Sequence, residues 1–178
     1  MKKVVISILI IIFLSFICVY FIKDISKKNE IKLVECIDGD TAWFMIDKQK
    51  EKVRLLGIDT PESVHPNKVV EEYGIEASDY TCSLLENADN IYLEYEINSD
   101  KHDKYERVLG WVFVDNNNLS ELLLSKGYAQ VDYIYGDYKY IDELCEVQEQ
   151  AYSSKIGIWE NSGEEEYSNN YCNKLYYK

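Results

Sequence analysis

The stretch Val53-Arg54-Leu55-Leu56-Gly57-Ile58-Asp59-Thr60-Pro61-Glu62 restricts what this chain can fold into more than any other. It begins as an apolar strand and ends in a turn that carries two carboxylates. Val53, Leu55 and Leu56 suit an interior, yet Arg54 sets a permanent cation among them. That arrangement is costly unless a carboxylate or a bound anion meets the guanidinium. Pro61 fixes one φ angle in the loop that bears Asp59 and Glu62. Carboxylates three positions apart, beside a forked cation, point either to a site for a metal and an oxyanion or to an ion pair closing a strand end.

The segments around this stretch alternate in a way that favours strands. Lys32–Ile37, Thr41–Ile46 and Glu51–Ile58 read as a three-stranded meander, joined by Asp38-Gly39-Asp40 and by the polar turn Asp47–Lys50. Val69–Ala88 has helical periodicity, with Ala77, Tyr80, Leu84, Leu85 and Ala88 on one face. Ile91–Ile97 alternates again, and a charged loop, Ser99–Arg107, leads into the strand Val108–Val114. Ser120 is suited to cap a short helix ending at Lys126 and Gly127. Tyr128–Tyr135 reads as extended, and Tyr140–Ser154 as the last helix, its end packed by Gly157-Ile158-Trp159. This order predicts an α+β, mainly β fold: a five-stranded OB-type barrel with three helices, behind an N-terminal hydrophobic segment. Such barrels bind oligonucleotides and oligosaccharides across one face.

Met1-Lys2-Lys3 precedes an uncharged run from Val4 to Ile22, and Lys23, Lys27 and Lys28 follow it. The run is long enough to span a bilayer and has no small-residue cleavage site after it, so an uncleaved anchor is expected in preference to a cleaved signal. The expected organisation is therefore residues 1–30 as anchor or signal and linker, 31–160 as barrel, and 161–178 as an acidic flexible tail. With 178 residues and 47% apolar content, the chain suits one core, and a monomer is expected. Lysines at both ends of the run fix its orientation only weakly. The barrel is expected outside the cytoplasm, anchored through residues 4–22 or secreted if that run is cleaved.

Residues 31–178 carry 14 Lys and Arg against 30 Asp and Glu, which excludes a protein that coats nucleic acid through a basic face. A local cationic pocket is still allowed. Of the 19 cations in the whole chain, 17 are lysine, so the two arginines, Arg54 and Arg107, mark places that need a planar, bidentate donor. The five cysteines, at 18, 36, 82, 145 and 172, include no closely spaced pair, which argues against a structural zinc site. Cys36 and Cys82 are expected to be buried free thiols.

Asp38-Gly39-Asp40 adds two carboxylates on the first turn, where neighbouring strands can bring them beside Asp59. An EF-hand does not fit, because Trp43 and Gln49 occupy its essential glycine and glutamate positions. Oxygen donors without nearby histidine or cysteine favour a hard cation, calcium before magnesium. A metal, two guanidiniums and a free carboxylate are the parts required to hydrolyse a phosphodiester.

Ile37-Asp38-Gly39-Asp40-Thr41 and Val53–Glu62 closely resemble the staphylococcal nuclease (thermonuclease) family. So do His65-Pro66, Tyr73-Gly74-x-Glu76-Ala77-Ser78, Asp103-Lys104-Tyr105-x-Arg107 and Tyr133-Ile134-Tyr135. The resemblance runs from about Ile31 to Trp159. It implies a calcium-dependent nuclease that cuts DNA and RNA and leaves 3′-phosphates. By position, it implies that Asp40, Asp59 and the Thr60 carbonyl hold calcium and that Glu62 is the general base. Arg54 and Arg107 would clamp the phosphate, Lys104 and Tyr105 contact a terminal phosphate, and Tyr133 and Tyr135 line the nucleoside pocket.

Two departures stand out. Glu106 and Val108 flank Arg107 where the family pattern has glycines, so Glu106 is placed to compete for Arg107 and the loop loses backbone freedom. The strong acidity is the other. A catalytically inactive module of the same fold, binding nucleic acid or protein, is the alternative, but it has no need for Arg54, Glu62 and Arg107 together. A calcium-binding adhesion module would need the aspartates and neither arginine.

Overall fold

The structure, a computed structural model, describes residues 28–64, 69–163, 167 and 170–176. The expected membrane segment, residues 4–22, and the pair His65-Pro66 lie outside these residues. Among the described residues, no helix is long and apolar enough to cross a membrane.

Five strands form the barrel: β1 (Asn29–Cys36), β2 (Thr41–Ile46), β3 (Gln49–Leu55), β5 (Ile91–Glu94) and β6 (Val108–Val114). Two-residue strands β4 (Ile58–Asp59), β7 (Asn117–Asn118) and β8 (Gln130–Val131) flank them, with helices α1 (Gly74–Asn87), α2 (Leu119–Ser125), α3 (Ile141–Ser153) and α4 (Tyr171–Tyr176). The neighbour order is β3-β2-β1-β5-β6, and a parallel pairing of β3 with β6 closes the ring. That closure sets Val53 against Val108, Arg54 against Leu109 and Leu55 against Gly110. Alternation explains why the strands form: Ala42, Phe44 and Ile46 are buried on one face of β2, while Trp43 and Met45 lie on the other. Trp111, Phe44, Leu93 and Leu119 fill the centre of the core.

The third strand does not run on to Ile58. Gly57, with φ +75°, turns the chain after Leu55, and a Cβ there would meet Leu144 Cδ1 at 2.9 Å, so only glycine makes this corner. The turned segment becomes β4, which pairs with β8 through Ile58–Val131 and Asp59–Gln130. The fifth strand stops at Glu94, and Ile97, expected to be inward, is 81% exposed. Its alternation is broken by Glu96, whose buried carboxylate accepts from Trp111 Nε1 (3.0 Å), the Lys139 amide (2.9 Å) and the Asn98 amide (3.1 Å). The first helix begins at Gly74 rather than near Val69, and Val69 and Val70 are exposed.

Tyr128–Tyr135 is not one extended segment. Only Gln130–Val131 is strand, and the Tyr133 amide donates to Asp132 Oδ1 at 2.7 Å while Tyr133 takes φ 56°. Within the acidic tail expected over residues 161–178, two described residues are tied down. Cys172 is disulfide-bonded to Cys145 in α3, and Tyr167 is buried, stacked on Tyr152 with ring centroids 3.7 Å apart. Local charge suggested looseness, but a covalent tie and an aromatic cluster oppose it. Cys36 and Cys82 are free, as expected, but half-buried where full burial was expected.

Candidate active site

The turn between β1 and β2 supplies the first component. Gly39 lies so close to the next loop that a Cβ would sit 2.7 Å from Thr60 Oγ1, which lets Asp40 approach Thr60. Asp38 hydrogen-bonds within the turn, its Oδ1 accepting the Asp40 amide at 3.2 Å. Asp40 is buried. Its Oδ1 accepts the Thr41 hydroxyl at 2.9 Å, and its Oδ2 accepts the Thr60 amide and hydroxyl at 3.2 and 3.1 Å.

Arg54 is the second component, 7% exposed despite its charge. It spans two carboxylates, with NH1 2.8 Å from Asp40 Oδ2 and NH2 2.9 Å from Asp59 Oδ1. NH1 also donates to the Leu55 carbonyl at 3.2 Å. This pairing meets the desolvation cost of placing a guanidinium at a strand end. It leaves three carboxylates around one cation. Burial pushes the Asp59 carboxyl up to about 6, opposed by Arg54 and assisted by Asp40, Asp132 and Glu71. Burial, followed by the charge of Asp40, likewise pushes Asp38 up to about 6. Crowded, oxygen-only anions of this kind fit a hard cation in donor type and charge. Among the described residues, no group of three or more His, Cys, Asp or Glu side chains is arranged to hold a metal. A cation here would rest on Asp40 and Asp59, with carbonyl and water oxygens completing its shell.

Glu62 is part-exposed, and its backbone is clamped to Glu71: its amide donates to Glu71 Oε2 and its carbonyl accepts the Glu71 amide, each at 2.9 Å. Its side chain is turned toward its own loop, with Oε1 accepting the Val64 amide at 3.3 Å.

The third component is the loop Asp103–Arg107. Arg107 does not pair with Glu106, as its position suggested. Asp103 takes that role, with Oδ2 2.7 Å from Arg107 Nε and Oδ1 accepting the amides of Tyr105 and Arg107, both at 2.9 Å. An aspartate hydrogen-bonding the backbone two residues on is a turn signal, the feature of the sequence that marks Asp103. Glu106 instead adopts φ 62°, the left-handed region in which glycine is at ease.

One cleft of about 930 Å³ gathers these parts. Its wall includes all ten residues singled out from the sequence: Asp40, Arg54, Asp59, Thr60, Glu62, Lys104, Tyr105, Arg107, Tyr133 and Tyr135. Tyr105, Tyr133 and Tyr135 are 67%, 49% and 82% exposed, so three rings stand open at its rim. Tyr133 faces Arg54, whose guanidinium carbon is 5.5 Å from the ring centroid, and Lys104 Nζ rests 5.0 Å from that of Tyr105. A cleft of this make-up can bind a phosphate between two guanidiniums and a base against a tyrosine.

Residues 52–161 match the profile of the family described as staphylococcal nuclease homologue. The chain is 40% identical over 143 residues to Endonuclease YncB of Bacillus subtilis (strain 168), spanning 77% of this chain and 67% of that protein. It is 37% identical over 139 residues to the Thermonuclease of Staphylococcus hyicus, spanning 77% and 80%. The SPbeta prophage-derived endonuclease YokF of Bacillus subtilis (strain 168) is 38% identical over 135 residues, but the match spans only 45% of its length.

Proposed function

We propose, for a chain that belongs to the staphylococcal nuclease family, a calcium-dependent phosphodiesterase that hydrolyses DNA and RNA to 3′-phosphate products outside the cytoplasm. The observation that carries this reading is the one cleft that Arg54, Arg107, Glu62 and the Asp40–Asp59 pair all line. Neither an adhesion module nor an inactive binder calls for that combination. All these side chains come from one chain, so a monomer suffices.

Asp40, Asp59 and the Thr60 carbonyl would hold the calcium ion, which when bound supplies positive charge beside the scissile phosphate. Arg54 and Arg107 orient the phosphate through its non-bridging oxygens and stabilise the charge that grows on them. Glu62 takes a proton from the attacking water, turning from the Val64 amide to do so. Water adds to phosphorus as the bond from phosphorus to the 5′-oxygen breaks, and that oxygen leaves as a hydroxyl on taking a proton from solvent, so the phosphate stays on the 3′ side. Lys104 and Tyr105 contact a terminal phosphate. Tyr133 and Tyr135 stack a nucleoside without selecting its sequence.

The Cys145–Cys172 disulfide supports a location outside the cytoplasm, because such bonds persist in oxidising compartments. Residues 4–22 would anchor the barrel there. The deciding experiment incubates the full chain with single-stranded DNA and RNA in calcium, then in excess chelator, and analyses the new ends. Calcium-dependent cleavage to 3′-phosphates is expected, and undiminished cleavage in chelator would refute the metal assignment. Protease added to intact cells should remove the barrel, and complete protection counts against the location.

A further inference from the structure

β3 carries more than Arg54. Val53 and Leu55 face the core at 0% and 4% exposure, so Lys50, Lys52 and Arg54 all lie on the opposite face of the strand. Alternate residues of a strand are about 6.6 Å apart. The three cations therefore form a line that starts in the cleft and leaves it. The β2 partners on the same face are Thr41 opposite Arg54, Trp43 opposite Lys52, and Met45 opposite Lys50. Both lysines rest on the indole, with Nζ 5.0 Å (Lys52) and 4.7 Å (Lys50) from the Trp43 ring centroid. On β1, Lys32 is the register partner of Met45, and Glu35 that of Trp43. Glu35 pairs with Lys50 at 3.4 Å, but with both side chains about half-exposed or more (62% and 45%) the pair is weak and yields to a stronger anion. In a chain of net charge −13, this face gathers three lysines around one tryptophan, against Glu35 beside them and Glu30 two residues before Lys32 on β1.

We infer that the outer face of the β1–β3 meander is a docking surface for the single-stranded part of a nucleic acid whose cleaved linkage occupies the cleft. The inference rests on the nuclease reading above. Lys52 and Lys50 take successive phosphates beyond the one held by Arg54, and Trp43, released by their ammonium groups, stacks a base. A duplex fits poorly. Its charges lie about 1.7 Å apart along the axis and its bases are already stacked, whereas an open strand offers widely spaced phosphates and free base faces. The surface also accounts for how so acidic a protein holds a polyanion, through a narrow local track and not through its overall field.

The test measures fluorescence anisotropy of a labelled oligothymidylate with the full chain in chelator, where cleavage is suppressed, over a range of salt. For Lys50→Gln/Lys52→Gln, affinity should fall several-fold, and the slope of log K against log salt should become shallower by about 1.4, the value for two lost phosphate contacts on a single strand. Trp43→Ala should weaken binding by roughly tenfold while Trp43→Phe retains most of it. Affinity and slope unchanged in the double variant would overturn the inference, as would equal dependence on the two lysines for a duplex of the same length. A second arm follows cleavage of a thymidine dinucleotide, too short to reach Lys52. Normal turnover of it by the double variant is expected, and impairment would assign the lysines to the cleft instead. Should the unaltered chain cleave neither substrate, the nuclease reading falls, while the binding arm still decides the docking surface.

Discussion

Asp103 holds Arg107 by the Nε edge of its guanidinium, 2.7 Å from Oδ2, while its other oxygen ties down the Tyr105 and Arg107 amides. The terminal nitrogens, the fork that matches a phosphate, take no part in this ion pair. Asp103 is thus a positioning residue for Arg107. Asp103→Asn should lower kcat by up to about a hundredfold, the scale of small misplacements in a site, with KM for a dinucleotide changing far less. Asp103→Glu should recover part of the loss. Partial shielding from water raises the Asp103 carboxyl, but the Arg107 amide and guanidinium and the Tyr105 amide outweigh it and hold it below the usual carboxylate range. Its stabilisation is therefore complete above its unfolded value near 3.9 and is lost as pH falls through the folded value. The loop should stay ordered down to acid pH, and NMR of the Arg107 Nε–H should show release only there. Release near neutrality would sink this assignment.

The guanidiniums themselves are not replaceable by charge alone. Lysine offers a point charge where arginine offers a planar fork for two oxygens, and both oxygens gain charge together in the transition state. Arg54→Lys and Arg107→Lys should each reduce turnover by roughly a hundred- to thousand-fold, with the melting transition of Arg107→Lys unchanged. Arg54→Lys should also lower stability, since one ammonium cannot span Asp40 and Asp59 as the fork does at 2.8 and 2.9 Å. A folded Arg107→Lys protein with near-normal turnover would contradict the clamp.

Glu106 is strained. At φ 62° a side chain costs about 1–2 kcal/mol that glycine does not incur. Its carboxylate is not the partner of Arg107, so nothing at the site is lost by removing it. Glu106→Gly should therefore raise stability, or leave it level once the added freedom of the unfolded chain is counted, and should not reduce kcat. Chemical denaturation with a kinetic control decides this. A fall in stability of more than about 1 kcal/mol would mean that Glu106 makes a contact of its own.

The parts of the molecule that could be read in the sequence are those that local chemistry determines. β2 announces itself because Ala42, Phe44 and Ile46 alternate with Trp43 and Met45, and Arg54 declared a need for carboxylates that Asp40 and Asp59 meet. The parts that could not be read depend on distant partners. The parallel pairing of Val53 with Val108 joins strands far apart in the chain, and no local pattern encodes it. Glu96 looked like the polar half of an alternation, yet it is buried because Trp111, Lys139 and Asn98 all donate to it. Tyr133 read as strand because aromatic residues favour strands, but Asp132 accepts its amide and turns the chain. That turn is what sets the ring facing Arg54.

The C-terminal segment is held to the barrel at two points of different kinds. Cys145–Cys172 closes a loop between positions separated by 27 residues, and inside that loop Tyr167 packs on Tyr152 and Trp159 and donates its hydroxyl to Glu149. Closing a loop of this length restricts the unfolded chain by about 3–4 kcal/mol in the entropy model. For a chain of this size, losing that restriction should lower the melting temperature by roughly 8–12 °C. Among the described residues, the cleft draws none from α3 or the chain beyond it, the last contributor being Tyr138. Stability and catalysis should therefore separate: a reducing agent, or the double substitution Cys145→Ala/Cys172→Ser, should lower the melting temperature while kcat at a temperature well below it stays level. The aromatic cluster should keep part of the segment in place after reduction, so limited proteolysis should trim the chain beyond Trp159 slowly with Tyr167 intact and quickly in Tyr167→Ala. A melting temperature indifferent to reduction would show that the cluster alone holds the segment. A parallel loss of kcat would show instead that α3 transmits its position to the cleft.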